Sequence, residues 1–190
     1  MCRSAVRRSA REGLLKRLLG ALGGSHRVAM GFCRLALIGP RMIQYAVLLG
    51  SDTIQLLAYP VESAIAEKLQ AMVALGGANS RMKDFYDLWI FAKHLDFSAD
   101  SPLKAIDATF NKRDTPVPGE EFEARTAHFA AGHRVQWNAF ARKMGENYLS
   151  DAFDKIIEDL KVFVIPALRS LARGEKLAQH WKAGSGWTFS

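Results

Sequence analysis

The strongest constraint in the sequence is a pair of helical patterns joined by a very short link. Apolar residues recur at helical spacing from Val61 to Leu75. The pattern stops at Gly76-Gly77, residues that favour the end of a helix. A second helical pattern starts near Asn79 or Ser80, either of which can cap a helix, and continues to about Leu95. Because the link is so short, the two predicted helices must be neighbours in the fold.

The remaining patterns predict a mainly α fold with a small residual β-sheet. The segments IQYAVLL and TIQLLAY flank Gly50-Ser51-Asp52 and predict two strands with a turn, so the sheet is expected near residues 43–58. Further helical patterns lie downstream, around residues 103–110, 122–129, 135–144 and 152–171. Helices are therefore expected to cover at least half of residues 60–172.

The distribution of charge divides the chain into a basic head, residues 1–42, and the remainder, residues 43–190. The head holds nine Lys or Arg and one acid, whereas residues 43–190 hold 17 basic and 18 acidic residues. The whole excess of positive charge therefore belongs to the head. A transit peptide, a nucleic-acid-binding arm, a membrane-surface helix and an artefact of a misplaced start or a frameshift all remain open for it. We expect the head to be poorly ordered and weakly anchored.

Composition argues against several classes of protein. No apolar run approaches the roughly 18 to 20 residues that a membrane-spanning helix needs, so no membrane partner is expected. The two cysteines, Cys2 and Cys33, specify neither a disulfide framework nor a zinc site. These features favour a protein of a reducing compartment, the cytoplasm.

A lysine lies inside the apolar arc of the first predicted helix. At about 100° per residue, Lys68 projects into the arc that contains Ile65, Leu69 and Met72, whereas Glu67 points away from it. A lysine in this position must extend its amine to solvent, pair with a carboxylate or serve a ligand.

The second predicted helix carries a carboxylate in the same kind of position. Asp84 projects inside the apolar face with Arg81 at its rim, while Asp87 projects further out, near Lys83. Asp84 could also simply occupy the first turn, where helix amides stabilise negative charge. The two helices alone leave function open. We expect Lys68 and Asp84 to pair, directly or through one water, because burying either charge alone would cost several kcal/mol.

At these residues the sequence resembles a known family. The segment YPVESAIAEKLQAMVALGGANSRMKDFYDLW is similar to the third and fourth motifs of the AbiEii/AbiGii nucleotidyltransferase toxins. Those motifs are a helix with Glu-Lys in an apolar frame, matched by Glu67-Lys68, and then Lys/Arg-Asp-aromatic-Tyr-Asp-Leu, matched by residues 83–88. The segments FNKRDTPVP and VQWNAFARK are also similar to bacterial members. The resemblance runs from about Ile38 to the C-terminus and leaves out the head.

The resemblance implies a polymerase-β-like nucleotidyltransferase fold and a set of residue roles. Lys68 would contact the triphosphate or substrate, and Asp84 would orient the attacking group or act as general base. Arg81 and Lys83 would contact phosphate or nucleic acid. The residues implied to support the site are Glu67, Tyr86 and Asp87. The family is associated with bacterial type IV toxin–antitoxin and phage-defence systems, so the implied partners are an antitoxin encoded nearby and a tRNA or other RNA acceptor.

The metal-binding half of the implied active site is missing from the sequence. Nucleotidyl transfer needs carboxylates that converge on magnesium, and the family takes them from an early Asp-x-Asp on a strand. No Asp-x-Asp occurs anywhere in the chain; Gly23-Gly24-Ser25 is followed by no acid, and Gly50-Ser51-Asp52 comes too late in the order. Mg²⁺ and a nucleoside triphosphate are implied as cofactors, but the metal ligands are not found here.

Two functional hypotheses follow from this absence. The first is a nucleotidyltransferase toxin that is incomplete, or truncated, and inactive alone because its metal carboxylates are lost or come from elsewhere. The second is a non-catalytic helical module that binds an antitoxin, an RNA or a nucleotide through Lys68, Arg81 and Asp84. Magnesium-dependent transfer of labelled nucleotide to RNA separates the two hypotheses.

Overall fold

A computed structural model describes residues 41–46, 53–144, 152–177 and 179–189. The described residues fall in two compact units, a hairpin that ends at Tyr59 and a helical body that begins at Pro60. The turn predicted at Gly50-Ser51-Asp52 lies outside the described residues. So does the basic head, except for its last two residues, which belong to the first strand of the hairpin.

The hairpin consists of two antiparallel strands of six residues. They are β1 (Arg41–Ala46) and β2 (Thr53–Ala58). Their register pairs Arg41 with Ala58 at one end and Ala46 with Thr53 at the other. The predicted two-strand unit near residues 43–58 is confirmed.

The body is built from helices, and the predicted mainly α fold is confirmed. Its described residues contain six: α1 (Val61–Leu75), α2 (Met82–His94), α3 (Asp100–Lys112), α4 (Ala127–Gly132), α5 (Arg134–Met144) and α6 (Phe153–Arg173). Together they cover more than half of residues 60–172. Helix α1 packs on α2 and α3, and α2 packs in turn on α5 and α6. Among the described residues, no helix has both the length and the apolar content needed to cross a membrane.

The turn between α1 and α2 explains why two glycines stand there. Gly76 has φ of +50°, a conformation that other residues adopt only with strain. The amide of Gly77 donates to Glu123 Oε2 at 2.8 Å, and a Cβ at Gly77 would collide with that carboxylate. Asn79 Oδ1 then accepts from the amide of Arg81 at 2.9 Å and so supports the start of α2. The predicted boundaries of α1 and α2 are within three residues of those observed.

Aromatic side chains fill the contact between α2 and the later helices. Phe85 lies 5.4 Å from Phe129 and 5.3 Å from Phe153 between ring centroids, and Trp137 stacks on Phe153 at 4.6 Å. Phe85 is fully buried. Burial of these rings stabilises the position of α2, the helix that carries Asp84 and Asp87.

A three-stranded antiparallel sheet closes the body, and the sequence did not predict it. Its strands, in spatial order, are β3 (Phe97–Ser98), β4 (Gln179–Lys182) and β5 (Gly186–Phe189). Trp181 pairs with both Phe97 and Trp187 across the sheet. The indole of Trp181 donates to the carbonyl of Ala92 at 2.8 Å, which holds β4 against the end of α2. We expected one small sheet, near residues 43–58, and the described residues contain a second.

Candidate functional site

Lys68 on α1 meets two carboxylates of α2. Its Nζ lies 2.7 Å from Asp84 Oδ1 and 2.8 Å from Asp87 Oδ2. The short glycine turn places the two helices side by side, and each charge lies on the face that its helix turns toward the other. Lys68 and Asp84 were predicted to pair directly or through one water, and the pairing is confirmed as a direct contact.

Two further cations flank the pair of carboxylates. Arg81 Nε lies 3.1 Å from Asp84 Oδ2, and Lys83 Nζ lies 2.6 Å from Asp87 Oδ2. We call Lys68, Arg81, Lys83, Asp84 and Asp87 the lysine–aspartate cluster. Its three cations and two carboxylates leave one excess positive charge.

Burial separates the cluster into an inner and an outer part. The side chains of Lys68, Asp84 and Asp87 are 19%, 8% and 7% exposed, whereas those of Arg81 and Lys83 are 60% and 52% exposed. The sequence had placed Asp87 further out than Asp84, and that placement was wrong. The single-helix projection could not show that the long Lys68 side chain reaches both carboxylates.

One oxygen of Asp84 lacks a hydrogen bond. Oδ2 is buried and accepts none, although the Arg81 guanidinium is 3.1 Å away, because the N–H is not directed at it. A buried acceptor without a donor is costly to the fold unless a ligand or water completes it. Asp84 Oδ2 is therefore the atom of the cluster best suited to receive a hydrogen bond from outside the protein.

Lys68 is held in its charged form. Burial alone would lower its pKa, but the charge of Asp87 and the hydrogen bonds to Asp84 and Asp87 outweigh that effect and raise the pKa above the ordinary value of 10.5. Lys68 is consequently an ammonium at neutral pH, able to donate and unable to act as a base.

The raised pKa predicts a loss of stability at alkaline pH. Because the folded-state pKa of Lys68 exceeds the unfolded-state value, its contribution is fully present below about pH 10.5 and is lost as the pH rises through the folded-state pKa. We expect the free energy of unfolding, measured by urea denaturation from neutral pH upward, to fall more steeply above that pH in the wild type than in Lys68→Met. Parallel declines in the two proteins would show that Lys68 is not stabilised as an ion.

The residues implied to support the site take different positions. Tyr86 is buried and packs against Phe140 of α5 at 5.8 Å between ring centroids, so its ring contributes to packing on the side of α2 that faces α5. Glu67 is half-buried on α1 beside Lys68 in sequence. Asp87 contacts Lys68 directly and therefore belongs to the cluster itself.

A second polar network on α1 was missed by sequence reasoning. Gln70 is buried; its amide nitrogen donates to Thr115 Oγ1 at 2.8 Å, and its oxygen accepts from Arg113 Nη1 at 2.7 Å. These bonds tie the loop RDTPVPGE to the helix that carries Lys68. Gln70 projects on the side of α1 opposite the apolar arc, so the sequence offered no clear signal, and its partners lie more than 40 residues away.

The cluster suits an anion better than a metal ion. Both of its carboxylates already face ammonium or guanidinium groups, which would repel a divalent cation. Across the part of the chain that the structure describes, no group of three or more His, Cys, Asp or Glu side chains could hold a metal. The described residues therefore do not fit magnesium, whereas the excess positive charge and the exposed Arg81 and Lys83 fit phosphate.

Comparison with known proteins gives one relationship. A family model described as "Nucleotidyl transferase AbiEii toxin, Type IV TA system" matches residues 22–159, most of the chain. The match begins upstream of Ile38, within the basic head, and ends inside α6, so its extent differs at both ends from that of the sequence resemblance. Searches of curated proteins and of solved structures gave no significant match.

Proposed function

The chain belongs to the AbiEii family of nucleotidyl transferase toxins of type IV toxin–antitoxin systems, and we propose that its lysine–aspartate cluster is the phosphate-handling part of a nucleotidyl transfer site. The observation that carries this proposal is the buried Lys68 ammonium, held by two carboxylates and flanked by two exposed cations. The proposed acceptor is an RNA, and the proposed setting is phage defence in the bacterial cytoplasm, with an antitoxin as partner.

The cluster supplies two of the tasks that nucleotidyl transfer requires. Lys68 directs two of its ammonium protons to Asp84 and Asp87, which leaves the third for a phosphate oxygen of the nucleotide. Arg81 and Lys83, exposed at the rim, add charge-assisted hydrogen bonds to the same triphosphate. Binding of the triphosphate would draw the Arg81 guanidinium away from Asp84 Oδ2.

Asp84 is the proposed proton acceptor. The attacking RNA hydroxyl would give its proton to Oδ2, form a bond to the α-phosphorus of the nucleotide, and release pyrophosphate as the bond to the bridging oxygen breaks. Oδ2 makes no aligned hydrogen bond, but it is buried with the Arg81 guanidinium 3.1 Å away, so the hydroxyl would reach it only after that guanidinium has turned to the triphosphate. Asp87 and Lys68 would act beside it by holding the carboxylate in place.

The magnesium that such transfer requires does not fit the described residues, so we propose that this chain does not turn over by itself. Its metal carboxylates would have to come from another source. The alternative function, a non-catalytic module that binds an antitoxin, an RNA or a nucleotide, is favoured by the same observation. Magnesium-dependent transfer of labelled nucleotide distinguishes the two functions.

Phosphate binding tests the cluster without requiring turnover. We expect the chain to bind ATP weakly in a titration followed by calorimetry, and Arg81→Gln/Lys83→Gln to weaken that binding about tenfold or more, because two charged phosphate contacts are lost. The matched control, Lys104→Gln/Lys155→Gln, removes two exposed lysines from α3 and α6 and should leave it unchanged. Equal losses in both variants would contradict the assignment.

A further inference from the structure

The segment from residue 124 to residue 145 contains no Asp or Glu. It includes α4 and α5, and α5 exposes Arg134, Arg142 and Lys143 while Trp137 faces the core. An acid-free stretch of this length is uncommon in a chain in which 24% of residues are charged and the acids outside the first 42 residues balance the bases. Among the described residues, none of these three cations forms an ion pair.

The exposed polar residues of α5 form a continuous stripe. Arg134, Asn138 and Arg142 are spaced by four residues and so lie one above the other along the helix. The Cα atoms of Arg134 and Arg142 are about 12 Å apart at ~1.5 Å of rise per residue. Lys143 is also exposed and projects between Arg142 and Phe140. We call these four residues the basic face of α5.

The basic face belongs to a helix that packs beside the lysine–aspartate cluster. Phe140 of α5 contacts Tyr86 of α2, the residue that precedes Asp87. The acids of α2 are Asp84 and Asp87, and both are buried and paired with cations. Lys83, half exposed, projects between Tyr86 and Asp87 on the helical wheel. On the wheel of α5, Phe140 projects nearly opposite Asn138, so the stripe faces away from α2 and Lys143 lies between the two sides.

Asp154 is a carboxylate that could offset the charge of the basic face, because the residue before it contacts α5. It follows Phe153, which stacks on Trp137, and is exposed at the first turn of α6. Among the described residues, Asp154 forms no ion pair with a cation of the basic face. The basic face keeps its excess of positive charge.

We propose that the basic face of α5 binds the phosphate backbone of the RNA acceptor. The proposal rests on the proposed function for the identity of the acceptor as RNA. A protein partner fits this surface less well, because protein interfaces are built around an apolar core, and Val135 is the one large apolar side chain that the described part of α5 exposes strongly. Arginine, lysine and asparagine at one-turn spacing suit phosphate oxygens.

The test measures RNA binding without nucleotide or magnesium. A fluorescein-labelled single-stranded RNA is titrated with the chain at several salt concentrations, and the anisotropy gives the affinity. Affinity for RNA decreases as salt increases, and each phosphate contact contributes about 0.7 to the steepness of the plot of log affinity against log salt. For Arg134→Gln/Arg142→Gln/Lys143→Gln we therefore expect a plot that is less steep by about 2. At about 0.1 M salt this corresponds to a roughly 100-fold loss of affinity.

A control separates this surface from a general effect of charge. Lys104→Gln/Lys155→Gln/Lys176→Gln removes three exposed lysines from other elements and is expected to keep the wild-type slope. Equal losses in both triple variants, or no loss in the first, would overturn the proposal, as would loss of antitoxin binding with RNA binding unchanged. Binding needs no turnover, so a chain that binds RNA through the basic face but never transfers nucleotide would contradict the transfer function and not the surface.

Discussion

Replacing Lys68 with methionine is expected to lower the free energy of unfolding by about 3 to 5 kcal/mol, the cost of breaking a buried ion pair from one side. The variant removes the ammonium that lies between Asp84 and Asp87 and leaves two carboxylates buried, each with a single, largely exposed cation. Urea denaturation at neutral pH measures the difference.

Lys83→Met is the matched control, because it removes a cation from the same cluster at its exposed rim. Its side chain is 52% exposed, and an exposed ion pair of this kind contributes about 1 kcal/mol or less. Similar losses in free energy of unfolding in the two variants would show that Lys68 contributes no more than an exposed lysine. That result would contradict the description of Lys68 as part of a buried ionic cluster.

A triple variant tests whether the carboxylates are the cause of the loss. Lys68→Met/Asp84→Leu/Asp87→Leu removes the buried charges together, and replacing a whole buried ionic group by apolar residues often costs little. We expect this variant to unfold at a higher urea concentration than Lys68→Met alone. A further loss on adding the two leucine substitutions would mean that the aspartates stabilise the fold independently of Lys68.

Local signals in the sequence were sufficient to predict the two helices and the pair that joins them. Pro60 and Gly76-Gly77 mark the ends of α1, and the observed helix runs from Val61 to Leu75 as expected. Because both Lys68 and Asp84 project into apolar arcs and the link is short, only one arrangement brings both charges to a partner. Leu75, the last apolar residue of the predicted pattern, is 43% exposed because the chain turns there.

Contacts between distant parts of the chain could not be predicted in this way. The strands β3, β4 and β5 have two to four residues each, too few for a clear alternating pattern, and β3 pairs with a segment about 80 residues away. Gln70 finds its partners in a loop beyond α3. The burial of Asp87 depends on the reach of the Lys68 side chain from the neighbouring helix, and a projection of α2 alone does not contain that information.

The second large effect concerns turnover, and its physical basis is the metal ion. Displacement at the α-phosphorus builds negative charge on the phosphate oxygens and the leaving pyrophosphate, and magnesium held by carboxylates supplies most of its stabilisation. The chain has no Asp-x-Asp, and the cluster carboxylates are already matched by cations. We therefore expect phosphate binding and nucleotide transfer to separate in this chain: weak binding of ATP that depends on Arg81 and Lys83, and no measurable transfer.

The most direct measurement incubates the purified chain with radiolabelled nucleoside triphosphates, magnesium and bacterial tRNA, and follows label in the RNA. Wild type, Asp84→Ala and Lys104→Gln are compared, with an active nucleotidyltransferase as a control for the substrates. We expect no label above background with the wild type or with either variant. Robust incorporation by the wild type and by Lys104→Gln, abolished in Asp84→Ala, would contradict this expectation by showing that the chain itself supplies a metal site.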